Sequence, residues 1–178
     1  MAAQRARPSA HACDDSVPLG ERGTPHFASS ERKARDTAQI LADGLGLGGY
    51  TTIANLGEND RSASGFLAND EFEATVDAFF AQPLQSIRGW ERAADAQAGI
   101  VGAVGRAISQ TREPVDIAIV GHGGTGTLLY CHLAGVAIDR RYDQPATNGG
   151  NCFAFDRTSR KLLRDGWQSI DAAAKEIA

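Results

Sequence analysis

The 178-residue sequence is poor in the residues that would place it in several common protein classes. Its three cysteines, Cys13, Cys131 and Cys152, are widely spaced and form no Cys-x-x-Cys pair. This pattern indicates neither a disulfide framework nor a zinc knuckle, and we expect Cys131 and Cys152 to be small core residues. The chain also lacks a run of roughly 18 apolar residues and a secretory signal. We therefore expect a cytoplasmic protein that does not contact a membrane.

A concentrated positive charge is also missing. The formal net charge is -4, with 42% apolar and 22% charged residues, which is the composition of an ordinary globular protein. Binding along a nucleic-acid backbone requires a basic surface, so we expect no nucleic-acid partner. The length favours a single domain. We place it at residues 18–178, after a tail at residues 1–17 that has no strand-like apolar run.

Strand and helix patterns alternate along the chain. Stretches rich in apolar and β-branched residues predict strands, and apolar residues at three- and four-residue spacing predict helices. The predicted strands cover residues 25–30, 50–56 and 115–120, with two strands or a strand and turn at 151–167. The predicted helices cover residues 30–47, capped by Ser29 or Ser30, then 69–83, 89–110, from about Thr125, and 170–178. This order predicts a three-layer α/β domain with a mostly parallel sheet.

The stretch "IAIVGHGGTGTLLYCHLAG" at residues 117–135 places a histidine in a glycine turn between a strand and a helix. Three kinds of site have this sequence pattern. Gly121, Gly123 and Gly126 fit a dinucleotide fingerprint, followed by Asp139 or Asp143, but only 52 residues remain after Gly126 for the rest of that fold. An oxyanion-hole turn would need a downstream Gly-x-Ser-x-Gly, which the sequence lacks. The third possibility is a phosphate pocket at the helix start.

Four motifs favour the phosphate pocket. They have the order and spacing found in a known family. In chain order they are "PLGERG", "FASSERKARDTAQILADGLGL", "LGENDRS" and "VGHGGTGTLLYCHLAG". Together they resemble the histidine phosphatase superfamily, the phosphoglycerate-mutase-like proteins, over residues 18–170. The resemblance implies phosphoryl transfer to an enzyme histidine followed by hydrolysis. The expected partner is a small phosphorylated substrate or a phosphohistidine protein, with no metal or cofactor.

The resemblance assigns roles to individual residues. His122 matches the second histidine of the family, which helps to hold the phosphoryl group, and Glu58 matches the region of the proton donor. We expect Arg32 to contact the phosphate, with Lys33 as the alternative because it aligns with the usual arginine. Gly123 would contribute to the phosphate-binding turn.

The amino terminus departs from the family. Members open with an apolar strand that ends in Arg-His-Gly, and this sequence contains no Arg-His-Gly. The front of the domain is therefore expected to be shortened. His11, the one histidine before "PLGERG", is the candidate nucleophile of a degenerate site, whereas His26 is expected to be a strand residue. Two functions follow: a phosphatase, or an impaired pseudoenzyme or binding module that keeps the anion pocket.

Overall fold

Short parallel strands form the sheet that carries the candidate site. The computed structural model describes residues 24–112, 114–146 and 149–170. The strands are β1 (His26–Ala28), β2 (Thr51–Thr52), β3 (Ala118–Val120), β4 (Asn151–Cys152) and β5 (Gln168–Ser169), and the helices are α1 (Arg32–Leu45), α2 (Asn69–Ala81), α3 (Ala93–Gln110) and α4 (Gly123–Ala134). The first three strands form a sheet in the order β2-β1-β3, in which both β2 and β3 are parallel to β1. This confirms the predicted α/β fold.

The central strand, β1, is buried along its whole length. Such burial is expected of a parallel strand that is covered on both faces. His26 is the polar residue of this strand, and its Nδ1 lies 3.1 Å from the carbonyl oxygen of Thr24. His26 is thus a strand residue, as predicted.

Helix α1 buries a stripe of small residues. Ala34, Ala38 and Ala42 are buried at four-residue spacing, and α1 packs against β1 and β3. The helix ends at Gly46, whose φ of 65° suits a residue without a side chain. The predicted serine cap is wrong, because Glu31 is the N-cap residue. The Ser29 hydroxyl instead accepts a hydrogen bond from the Glu31 N–H at 3.1 Å.

The main apolar core lies between α2, α3 and α4. Phe79 and Phe80 of α2 pack near Trp90, which precedes α3. Helix α3 runs uninterrupted for 18 residues despite its glycines, because its buried alanine, isoleucine and valine side chains pack against α4. Cys131 of α4 is fully buried and Cys152 is half-buried. Burial raises the pKa of both thiols, in agreement with the predicted packing role.

The last described segment is an antiparallel ribbon. Strands β4 and β5 pair with Asn151 opposite Ser169, and an isolated bridge joins Phe155 to Leu162. Trp167 packs edge-on against Phe153, with ring centroids 4.8 Å apart. In the part of the chain that is described, no helix has the length and apolarity to cross a membrane. His11, the motif "PLGERG" and residues 171–178 lie outside the described residues.

Candidate active site

The candidate site lies where β1 and β3 end side by side. In a parallel sheet, the residues that follow neighbouring strands meet at one edge. Ser29 follows β1, and its N–H donates to the carbonyl oxygen of Val120, the last residue of β3, at 2.9 Å. Ser29 is fully buried at this junction.

His122 links the end of β3 to the start of α4. It is the N-cap residue of α4, with an extended backbone, and its carbonyl oxygen accepts a hydrogen bond from the Gly126 N–H at 2.8 Å. Its side chain is 11% exposed, and Nε2 lies 3.0 Å from the Ser29 hydroxyl. The ring is therefore fixed at the sheet edge while a small part of it reaches solvent.

Glu31 brings a carboxylate to this histidine. Its Oε1 lies 3.6 Å from His122 Nε2 and accepts a hydrogen bond from the Glu58 N–H at 2.8 Å. A Cβ on Gly57 would stand only 2.8 Å from the same oxygen, so the carboxylate packs closely on that glycine. Sequence analysis missed Glu31. The available signal was its place three residues after the end of a buried strand, at the sheet edge where ligands bind.

Glu58 presents one carboxylate oxygen to the first turn of α4. Its side chain is 19% exposed, and Oε2 pairs with the Arg61 guanidinium. The other oxygen, Oε1, is buried and has no hydrogen-bond partner among the described residues. A Cβ on Gly124 would lie 3.5 Å from Oε1. Because unpaired buried polar atoms are rare, this oxygen marks a position where a substrate group or water could bind.

Arg61 pairs with Glu58 and is itself held by two aromatic rings. Its guanidinium carbon lies 5.4 Å from the ring centre of Phe72 and 5.5 Å from that of Trp90. Trp90 is fixed in turn, since its Nε1 donates to the Ser64 hydroxyl at 2.8 Å. The stacked rings limit the orientations that the Arg61 side chain can take. Sequence analysis did not identify Arg61 as part of the site.

The loop that carries Glu58 is also braced along its backbone. The Asp60 N–H donates to the Glu91 carboxylate at 3.1 Å, and the Glu91 N–H donates to the Asp60 carbonyl oxygen at 2.9 Å. Hydrogen bonds from Ser62 lower the pKa of Asp60, so that carboxylate stays charged near neutral pH. The Thr125 hydroxyl donates to the Gly57 carbonyl oxygen at 3.2 Å, which joins the loop to α4.

The predicted basic residues lie at the start of α1, on its exposed side. The Arg32 side chain is 95% exposed and its Nε lies 3.6 Å from the Asp36 carboxylate, while Lys33 is also exposed. The structure thus brings His122 and Glu58 to one turn but does not bring Arg32 to His122. The roles of Arg32 and Lys33 as phosphate ligands stay predictions.

The glycine turn has a packing explanation at two positions. A Cβ on Gly123 would clash with Gln144 Nε2 at 2.1 Å, and one on Gly126 would lie 2.8 Å from the Trp167 ring. Asp143, an acidic candidate for the dinucleotide alternative, accepts a hydrogen bond from the Thr127 hydroxyl at 2.8 Å. Across the described residues, no group of three or more His, Cys, Asp or Glu side chains is arranged to hold a metal.

Comparison with known proteins identifies the same fold. The model of the histidine phosphatase superfamily (branch 1) matches residues 5–164. Among solved structures, YhfR of Bacillus stearothermophilus matches with a TM-score of 0.63 at 20% identity, over 80% of this chain and 72% of that one. A mycobacterial glucosyl-3-phosphoglycerate phosphatase matches with a TM-score of 0.65 at 20% identity, over 85% and 80%. Its complex with inorganic phosphate matches with a TM-score of 0.59 at 17% identity, over 83% and 75%. A search of curated protein sequences finds no match.

Proposed function

Because this chain belongs to the histidine phosphatase superfamily, we propose that it hydrolyses a phosphomonoester or a phosphohistidine through a phosphohistidine intermediate. One observation carries the proposal. His122 is the N-cap residue of α4, and the unpaired Oε1 of Glu58 lies against Gly124 in the first turn of the same helix. A histidine, a free carboxylate oxygen and a helix start at one sheet edge are the groups that phosphoryl transfer needs.

The phosphoryl group would bind at the helix start. The first N–H groups of α4, beginning at Gly123, have no partner within the helix, and they favour an anion together with the helix dipole. The His122 ring, which the buried Ser29 hydroxyl contacts, would donate to a phosphoryl oxygen. Arg32 and Lys33 would supply positive charge along the approach to this position.

The chemistry takes two steps. In the first, a histidine nitrogen attacks phosphorus, the bond from phosphorus to the leaving oxygen breaks, and Glu58 donates a proton to that oxygen. In the second, water attacks the phosphohistidine, the phosphorus–nitrogen bond breaks, and Glu58 takes the proton of the water. Inorganic phosphate is released and Glu58 is protonated again. We propose His11 as the nucleophile, as the resemblance implies by its order in the chain.

A second candidate function is anion binding without turnover, and Glu31 favours it. A carboxylate beside His122 repels an incoming phosphoryl group unless it moves or takes up a proton. If it does neither, the pocket would bind anions weakly and the chemistry would not proceed.

Mapping of the intermediate separates the two functions. The protein is mixed with a chromogenic phosphomonoester near pH 6 and quenched in alkali, where phosphohistidine survives. We expect acid-labile phosphate on His11 and its loss in His11→Ala. Label on His122 instead would move the nucleophile, and label on neither histidine with orthovanadate still bound would establish the binding protein.

A further inference from the structure

An open groove lies beside the candidate site, next to the start of α1. Its volume is about 430 Å³, and it is lined by Ser30, Arg35, Gln39, Gly49, Tyr50 and Thr52. Arg35 is the single charged residue in this lining. The groove is therefore locally positive although the chain as a whole carries a net charge of -4.

The groove opens at the same sheet edge as His122. Ser30 directly follows Ser29, whose hydroxyl contacts the His122 ring. Thr52, at the end of β2, is in register with Ala28, the last residue of β1. Since the strands are parallel, the ends of β1 and β2 lie side by side. A molecule bound by its phosphoryl group at His122 could extend into the groove.

One face of α1 runs from the His122 site to the groove. Glu31, Arg35 and Gln39 are spaced four residues apart and therefore share a side of the helix. Glu31 reaches His122 at 3.6 Å, and the other two side chains line the groove. Arg35 therefore lies one helical turn from Glu31 on this side of α1.

The Arg35 guanidinium is available for a ligand. It makes no hydrogen bond or ion pair with any residue that the structure describes. Gln39, by contrast, already donates to Asp43 at 2.8 Å. A guanidinium presents planar paired donors that match a carboxylate or phosphate. Tyr50 adds an aromatic ring to the same groove.

We propose that this groove binds the alcohol part of the phosphomonoester and that Arg35 selects alcohols bearing a second anionic group, such as a carboxylate. The inference rests on the proposed function, because it takes the phosphoryl group to be held at His122. The preferred substrates would be phosphomonoesters with two separate negative charges.

Two phosphonates of the same shape test the proposal without requiring turnover. These are 4-carboxybenzyl phosphonate and 4-carbamoylbenzyl phosphonate, which differ in a single charge. By calorimetry, we expect the wild type to bind the carboxylate about tenfold more tightly, the scale of one charge-assisted contact. Arg35→Gln should abolish this preference by weakening only the carboxylate ligand, and Arg35→Lys should restore part of it.

Arg106→Gln is the matched control, because Arg106 is an exposed helical arginine on α3, away from the groove. It should leave both affinities within about twofold of the wild type. Equal binding of the two phosphonates by the wild type, or a preference that survives in Arg35→Gln, would overturn the inference while leaving the proposed function intact. If neither phosphonate binds and neither competes with orthovanadate, the proposed function fails and the inference fails with it.

Discussion

The candidate site has one side formed by the loop that carries Glu58 and Arg61, and another formed by the start of α1. The side chains of the first are held much more firmly than those of the second. On one side, the Glu58 and Arg61 side chains are only 19% and 30% exposed, and the Arg61 guanidinium lies over the adjacent rings of Phe72 and Trp90. On the other, Glu31 is 47% exposed and Arg32 is 95% exposed. The proposed proton donor is thus fixed in advance, whereas the groups on α1 are free to adjust. A fixed acid and an adjustable anion side suit an enzyme that must exchange substrate for phosphate.

The largest effect is expected at the fixed side, from Glu58→Gln. The amide keeps the shape of the side chain but cannot donate the proton that the leaving oxygen needs. We expect kcat for a phosphomonoester with a poor leaving group to fall about 10²- to 10⁴-fold. The affinity for 4-carbamoylbenzyl phosphonate should stay within about threefold of the wild type. Unchanged kcat in steady-state assays would show that Glu58 takes no part in the mechanism. The fixed side of the site would then have no catalytic role that distinguishes it from the groups on α1.

Arg61→Met should have the next largest effect. It removes the partner of Glu58 Oε2 and leaves a mostly buried carboxylate without its counter-ion. We expect kcat to fall about 10- to 100-fold, and the free energy of unfolding in urea to fall by about 1–3 kcal/mol. The control is Arg141→Met, since that arginine is 71% exposed and pairs with Asp139 on the surface. The control should lose less than about 0.5 kcal/mol.

Adding Glu58→Gln to Arg61→Met tests the reason for the loss. If the stranded carboxylate causes the destabilisation, the double variant should regain part of the free energy of unfolding. A strictly additive result would mean that Arg61 acts through its ring contacts alone.

On the adjustable side, we expect Glu31→Gln to improve anion binding. The amide oxygen can still accept the Glu58 N–H, but the negative charge beside His122 is gone. The affinity for orthovanadate, measured by calorimetry, should rise about 3- to 10-fold. Asp36→Asn removes the same charge from the exposed face of α1 and should change affinity by less than about twofold. Weaker vanadate binding in Glu31→Gln would mean that Glu31 supports the site.

The contrast between the two sides also explains what the sequence could predict. His122 follows a predicted buried strand, so the local pattern placed it at the sheet edge, whereas Glu58 was assigned from the resemblance to the histidine phosphatase superfamily. Arg61 pairs with Glu58 three residues away, but it also lies over Phe72 and Trp90, which come from other parts of the chain. No local pattern records that contact. The catalytic roles of His122, Glu58 and His11 stay predictions.

Most elements of the fold were predictable because they have a local signal, but of the strand predicted at residues 50–56 only Thr51–Thr52 is a strand, and Ala54–Leu56 form a 3-10 helix. The buried strand β1 and the alanine stripe of α1 can be read from their periodicity. Helix starts were less certain. Helix α4 begins at Gly123, two residues before the predicted start near Thr125. The start of α1 was shifted by Ser29, whose buried hydroxyl contacts His122 in addition to the Glu31 N–H.

The smallest effect is expected from Gly57→Ala, which disturbs the boundary between the two sides. The backbone at Gly57 has a φ of -70°, which alanine adopts without strain. Its new Cβ would stand 2.8 Å from Glu31 Oε1 and 3.2 Å from the Ala54 carbonyl oxygen. Because the Glu31 side chain is flexible and half exposed, we expect it to swing away from His122 at a cost of about 1 kcal/mol in unfolding free energy. Orthovanadate should then bind about twofold more tightly, the same direction as Glu31→Gln, and the two changes should not add when combined. Full additivity of the two affinity changes in calorimetry would show that Gly57 acts on the pocket by some route other than Glu31.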